Sequence, residues 1–191
     1  MIYTYMVTID CGGAPCIHND VLSLGICKPM IRRYAKVNDM IIGFCAKSMK
    51  LSNSKPQILF IAKVDEKITY KDYYDKYKVR PDCIYDNDLN LLKNNFHGSL
   101  NVKTDLSGQN VLISTDFVFF GNNHISISDE LQYICPNNQG YWSRKNTKYS
   151  NLVNTYFELL KSKYCKIEGK HIHCIHNCKT QKQKLLEQCK H

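Results

Sequence analysis

The sequence predicts an α+β domain in which short strands of a small mixed sheet are flanked by helices. Three observations predict it. Ile2 to Asp10 alternates, with Tyr3, Tyr5, Val7 and Ile9 on one face and Thr4, Met6 and Thr8 on the other, the period of a strand. Met40 to Ala46 and Gln57 to Val64 are short apolar runs of buried-strand length. Asn151 to Tyr164 places Leu152, Val153, Tyr156, Phe157, Leu159 and Leu160 on one helical face.

Length and composition bound the rest. The chain has 191 residues, enough for one domain with a real core and too few for two. Hydrophobic residues make up 43% and charged residues 23%, so a folded globular domain is expected. No apolar run reaches the ~18 residues of a transmembrane helix. The N-terminus lacks a basic n-region and a small-residue cleavage site, and reads as a first strand. The net charge is +9, from 26 Lys and Arg against 17 Asp and Glu. That balance favours a polyanionic partner, most simply nucleic acid or a nucleotide. The plainer source is the Lys-, Asn-, Ile- and Tyr-rich composition that an AT-rich genome produces. Ten cysteines are mostly scattered, which fits reduced thiols in a cytoplasmic setting better than a disulfide framework.

The elements follow in order. Cys11-Gly12-Gly13-Ala14-Pro15 ends the first strand, either as a simple turn or as a place where a ligand approaches the backbone. Val21 to Cys27 is a second strand. Pro29 suits the first turn of a short helix with Met30, Ile31 and Tyr34 on one side. Arg32, Arg33 and Lys36 then face elsewhere, toward phosphate or simply toward water. Asn38-Asp39 is a turn. The strands over 40–46 and 57–64 pair as an antiparallel hairpin around a polar loop, Lys47 to Pro56. Thr69 caps a helix from Tyr70 to Lys78, with Asp72 in its first turn. Its tyrosine stripe (Tyr70, Tyr73, Tyr74, Tyr77) reads as packing before it reads as a stacking platform. Arg80 to Thr104 is an irregular excursion with a short helix at Leu89 to Asn94, and His97 in it reads as a surface histidine. Asp105 to Gly108 marks a turn. Strands follow at Val111 to Ser114 and Asp116 to Phe120. Ile125 and Ile127 alternate, and Asp129-Glu130-Leu131 opens a short helix. Trp142 lies beside Arg144, Lys145 and Lys148, where it either stacks a base or closes the core.

The tail differs from the body. Residues 165–191 form a basic Cys/His-rich segment after a domain over 1–164. His171, His173, Cys174, His176 and Cys178 are zinc-ligand types, and a closed site needs four of them. Their spacing matches no standard knuckle, so a zinc site would fold locally or recruit Cys165 or Cys189. The alternative is a basic tail with adventitious metal affinity.

Five stretches together resemble a known family, the nucleotide modification associated domain of the second type. They are Tyr3-Thr4-Tyr5-Met6-Val7-Thr8-Ile9-Asp10 with Gly13-Ala14-Pro15; Cys27-Lys28-Pro29-Met30-Ile31-Arg32-Arg33; Asp39-Met40-Ile41-Ile42-Gly43; Lys63-Val64-Asp65-Glu66 with Tyr73; and Val111-Leu112-Ile113-Ser114 to Phe120-Gly121. The resemblance covers roughly residues 3 to 160, a typical domain size. Two departures stand out. Asn38 replaces the family's usual Gly, and Gly140-Tyr141-Trp142 stands near the place of a Gly-His pair. The resemblance implies association with base modification in nucleic acid, in viral, bacterial and phage-like settings such as a viral factory or nucleoid. By fold-level likeness to readers of modified bases (PUA, EVE and ASCH-like) it implies a small mixed, partly closed β-barrel with flanking helices.

The function expected on this basis is a binding domain for a nucleotide or a modified, flipped base, with no cofactor in the body and no membrane partner. Lys28, Arg32 and Arg33 would contact phosphate, and Asp10 would accept a hydrogen bond from a base edge. Gly12 and Gly13 would allow close backbone approach, and Tyr5, Phe44 or Trp142 would stack. The basic segment and Asp10 should then face one cavity. The rival is an enzyme acting on nucleotides or nucleic acid, with Cys27 or Cys11 as nucleophile and Asp10 or His124 as acid-base group. No P-loop, His-Glu-x-x-His, deaminase signature or Ser elbow accompanies it. A third reading is a host-interaction protein stapled by zinc in the tail.

Overall fold

A computed structural model describes residues 1–46, 49, 55–137, 141–144 and 147–173. The strands are β1 (Ile2–Val7), β2 (Cys16–His18), β3 (Val21–Leu24), β4 (Met40–Cys45), β5 (Gln57–Lys63), β6 (Glu66–Thr69), β7 (Asn110–Ser114), β8 (Asp116–Phe119), β9 (Ile125–Ser126) and β10 (Tyr141–Arg144). The helices are α1 (Pro29–Tyr34), α2 (Tyr70–Tyr77), α3 (Val102–Leu106) and α4 (Thr147–Lys163).

The strands form two sheets. One runs β10-β1-β4-β5-β8, with β9 also on β5, and the other runs β2-β3-β7-β6. β1 and β4 are parallel, and every other pair is antiparallel. The hairpin expected from β4 and β5 is present, with a bulge at Gly43/Phe44. The bulge slips the register by one residue, which puts Leu59 and Phe60 into the same core cluster. Neither sheet closes on itself among the described residues, so the architecture is mixed α/β with two open sheets. This is the difference from the expected partly closed barrel.

Burial gives the layering. The first sheet is apolar on both faces, as its uninterrupted apolar runs require. One face carries Ile2, Ile42, Phe44 and Ile61 against Val153, Phe157 and Leu160 of α4. The other carries Tyr3, Tyr5, Val7 and Leu59 against Leu22, Leu24 and Leu112 of the second sheet and Ile31 of α1. The far side of the second sheet, through Val111 and Ile113, buries Tyr70 and Tyr73 of α2 together with Ile26, Tyr85 and Phe96. The tyrosine stripe is therefore packing at Tyr70 and Tyr73. Thr69 caps α2 by accepting from the Asp72 N–H at 3.1 Å.

Segment 165–173 is joined to this body. The Phe119 N–H donates to Lys166 O (2.9 Å), Glu168 N–H to Phe119 O (2.8 Å) and Asn122 N–H to Lys170 O (2.8 Å). The chain thus runs along the end of β8 as a strap and reaches Asp10, where the His173 N–H donates to Asp10 O at 2.8 Å. No helix among the described residues is long and apolar enough to cross a membrane.

Candidate active site

Three segments from distant parts of the chain meet where β1 and β3 end. The first is Gly25 to Lys28, between β3 and α1. Cys27 and Lys28 both hold left-handed backbone (φ 57° and 43°), which non-glycine residues rarely adopt. Pro29 then starts α1 at the position that suits its missing N–H. The second is 94–97. Asn94 Oδ1 accepts from both the Phe96 and His97 N–H groups at 2.8 Å, and this turn swings the histidine inward. The third is α3, which carries Asp105.

Together they build a relay. Cys27 Sγ lies 3.2 Å from His97 Nε2. The other ring nitrogen, Nδ1, is hydrogen-bonded to Asp105 Oδ2. An ionised carboxylate only accepts, so it fixes the proton on Nδ1 and leaves the Nε2 lone pair facing the thiol. Asp105 is itself fixed, since Oδ1 accepts from the Cys27 N–H at 2.8 Å and Oδ2 from the Tyr85 hydroxyl at 2.9 Å. Burial acts to raise the Asp105 carboxyl, but the bonds from His97, Cys27 and Tyr85 outweigh it and hold the group below the usual carboxylate range. Burial, followed by the Asp105 charge, pushes the Tyr85 hydroxyl up, so it remains a donor. His97 is 4% exposed and Asp105 1%; neither is a surface group.

Arg32 ties two of these segments, Gly25 to Lys28 and α3, to each other and to β7. Its guanidinium donates to Cys27 O (2.6 Å), Asn110 O (3.0 Å), Asp105 O and the Tyr70 hydroxyl. The Tyr70 hydroxyl lies 3.0 Å from Gly25 O and 2.9 Å from Asp105 O. Burial raises that hydroxyl to about 12, with Arg32 opposing. A second buried network anchors the excursion that carries His97. Asp82 accepts from Ser23 (2.6 Å) and Tyr73 (2.7 Å), and Arg80 reaches the carbonyls of His18 (2.8 Å) and Cys16 (3.2 Å).

The relay opens into a cavity of about 170 Å³. Its wall includes Tyr5, Cys11, Ile26, Lys28 and Phe96 beside Cys27 and His97. The Tyr5 hydroxyl is buried and has no hydrogen-bond partner among the described residues. Burial, then the neighbouring Cys27 and Asp10, raises it well above its ordinary value. Lys28 Nζ sits 4.7 Å from the Tyr5 ring centroid and 3.4 Å from Met6 O.

The expected site residues divide. Tyr5, Gly13, Cys11, Cys27 and Lys28 line the cavity together. Arg32 does not; it is 0% exposed and spent on internal acceptors, which removes it from the surface where phosphate would be met. Arg33 is exposed, with its guanidinium 5.8 Å from the Tyr34 ring centroid. Asp10 is fully buried, and its carboxylate accepts from His171 Nδ1 and the Ile172 N–H (3.0 Å), so its acceptors face the strap. A Cβ on Gly12 would meet the His171 ring at 3.2 Å and one on Gly13 the Phe96 ring at 2.9 Å. These glycines admit the protein's own rings. Phe44 lies in the α4 core, on the other face of β4 from the cavity. His124 Nε2 donates to Met49 O at 2.9 Å, and His124 does not line the cavity. Trp142 is in β10 opposite Thr4. Of the tail cluster, His171 and His173 are bound to Asp10, while Cys174, His176 and Cys178 lie outside the described residues.

His97 and Asp105 are the functional candidates that sequence reasoning missed. Asp105 is within α3 and not in a turn. Among the described residues, Cys27, His97 and Asp105 also bring three potential metal-donor atoms within 4.8 Å of one another. Their geometry favours a relay over a metal site. The thiol and the carboxylate meet opposite nitrogens of one imidazole, so they do not converge on one point, and a closed zinc site needs four convergent ligands.

The fold and site define a mixed α/β domain with a thiol–imidazole–carboxylate relay on a small cavity. The chain belongs to the nucleotide modification associated domain 2 family, whose model matches residues 1–175. No curated protein and no solved structure matches the chain.

Proposed function

We propose that this protein is an enzyme of nucleotide or nucleic-acid base modification in which Cys27 is the nucleophile, His97 the general base and Asp105 the group that orients it. The observation that carries this reading is the alignment of Cys27 Sγ, His97 and Asp105, with Cys27 and His97 on the wall of a cavity and Asp105 behind them. A thiol is activated by a base within hydrogen-bond reach that is itself oriented by a third group. The family description supports nucleotides or nucleic-acid bases as the substrate class, and the cavity size supports a limit on what enters. At about 170 Å³ it takes one ring or a short chain, since an engineered apolar cavity of ~150 Å³ already holds benzene. The sugar and phosphates would then stay outside, near Lys28.

Site-resolved labelling tests it. Iodoacetamide is added to the whole protein, and Cys27 is followed against the exposed Cys165 by peptide mass spectrometry, with and without nucleoside monophosphates. Faster labelling of Cys27 that nucleotides slow supports the reading. Labelling no faster than Cys165 and indifferent to every nucleotide defeats it.

A purely binding role is favoured by one observation, the Lys28 ammonium at a cavity of single-ring size. Its clean probes are Lys28→Ala and Arg33→Ala in salt-dependent anisotropy with modified and unmodified DNA.

A further inference from the structure

Building on the nucleophile reading, we infer that Cys27 reacts at an acyl carbon, with the Tyr5 hydroxyl as the donor to the oxyanion, and that the substrate is a nucleobase or nucleotide carrying a short acyl group on nitrogen. Three features converge on this chemistry. The Tyr5 hydroxyl is buried, lacks a partner among the described residues and belongs to a side chain on the wall of the cavity that also bounds Cys27. An unpaired buried hydroxyl is costly, and a donor kept ready for charge that develops only during reaction is what oxyanion stabilisation requires. Next, the relay places one base on the thiol, at 3.2 Å. Acyl substitution needs only that base, which takes the thiol proton and returns it to the departing amine. Finally, the wall is largely apolar, with Val7, Ile9, Ala14, Ile26 and Phe96, which suits a short acyl chain or a small ring.

The steps balance with water as co-reactant. The Cys27 thiol loses its proton to His97 Nε2 as sulfur bonds to the amide carbon. The carbonyl π pair moves onto oxygen, where the Tyr5 O–H meets it. The C–N bond then breaks, and His97 gives the proton to the leaving amine. Water attacks the resulting thioester and its proton passes to His97. The C–S bond breaks, the proton returns to sulfur, and a carboxylic acid and a free amine have formed.

The test uses p-nitrophenyl acetate and the whole protein. Wild type should release nitrophenolate in a burst of one equivalent and carry one acetyl group on Cys27, removable by hydroxylamine. Tyr5→Phe should slow this acetylation by about 10²-fold, the scale of one lost oxyanion donor. Its iodoacetamide labelling of Cys27, which passes through no oxyanion, should stay within about threefold of wild type, the reactivity being set by the thiolate. Cys27 labelling that stays faster than that of the exposed Cys165 also reports that the variant is folded. Rapid alkylation of Cys27 without acetylation, or equal acetylation by Tyr5→Phe, overturns the acyl inference and leaves the nucleophile reading standing. A Cys27 inert to both reagents overturns both.

Discussion

Tyr5 carries its hydroxyl into the interior without a partner among the described residues, and this isolation predicts an unusual mutant. Removing the hydroxyl deletes no hydrogen bond, so Tyr5→Phe should be neutral or more stable by about 1 kcal/mol. Thermal denaturation checks this; a marked fall in the midpoint would mean that the hydroxyl has a structural partner. Arg32 behaves in the opposite way. It is fully buried and donates to the carbonyls of Cys27, Asn110 and Asp105. Arg32→Met should cost about 3–5 kcal/mol, the scale for breaking a buried charged network, read as a drop in the denaturation midpoint. A Cβ on Gly108 would come within 2.5 Å of the guanidinium carbon, so Gly108→Ala should weaken the same contacts. Loss of nucleic-acid binding in an Arg32 variant would therefore report lost structure before lost phosphate contact, whereas the exposed Arg33 gives a direct probe.

At the scale of elements, α1 and α3 are too short to persist alone, at 6 and 5 residues. They are held by Arg32, Tyr70 and the Asp105 carboxylate, so their stability follows the ionisation of Tyr70 and Asp105. Asp105 is held below its ordinary 3.8 in the folded protein. A depressed carboxyl contributes stability that is present above the unfolded value and lost as pH falls through the folded one. Acid titration should thus destabilise wild type below about pH 4, and Asp105→Asn should flatten that dependence. Tyr70 has the reverse sign. Its hydroxyl is raised from 10.0 to about 12, so its contribution is intact below pH 10 and lost as pH rises toward 12. Tyr70→Phe should reduce the alkaline loss seen by circular dichroism.

The same short elements explain what the sequence concealed. β1, the β4–β5 hairpin, α2, β7, β8 and α4 were legible because period two, an apolar run, period 3.6 or a Thr cap marks each of them. β2, β6 and α3 span 3, 4 and 5 residues, too few for any period to appear. The helix expected at Leu89 to Asn94 is instead a turn, with Leu89 at φ 64° and Asp86 Oδ1 accepting from the Asn90 N–H at 2.8 Å. Cys27 and Lys28 could be nominated because they sit in a distinctive basic segment. His97 could not, because its partner is 70 residues away and only tertiary structure joins them. The one local hint was Asn94, whose short acceptor suits a turn that presents the residues after it.

At the scale of the molecule, the layers run α4, first sheet, second sheet, then α2 with the excursion that carries His97. The strap of residues 165–173 crosses from β8 to Asp10. A chain truncated after Tyr164 would leave the buried Asp10 carboxylate without His171 and the Ile172 N–H. It should melt well below a chain ending at residue 175, and equal midpoints would show that the strap contributes no stability. The whole chain and the chain ending at residue 175, both assayed for zinc, ask whether the Cys/His segment beyond that point is needed for metal.

The central claim is that a thiol, an imidazole and a carboxylate act as one unit, and the pH profile of Cys27 alkylation tests it most directly. Wild type, His97→Ala and Asp105→Asn are labelled across pH 5 to 10, and Cys27 is read by peptide mass spectrometry. The account predicts that wild-type Cys27 keeps reacting well below the ordinary thiol range of about 8.5, and that both variants lose this low-pH reactivity. A wild-type profile that rises only around the ordinary thiol value, unchanged by either substitution, would contradict it.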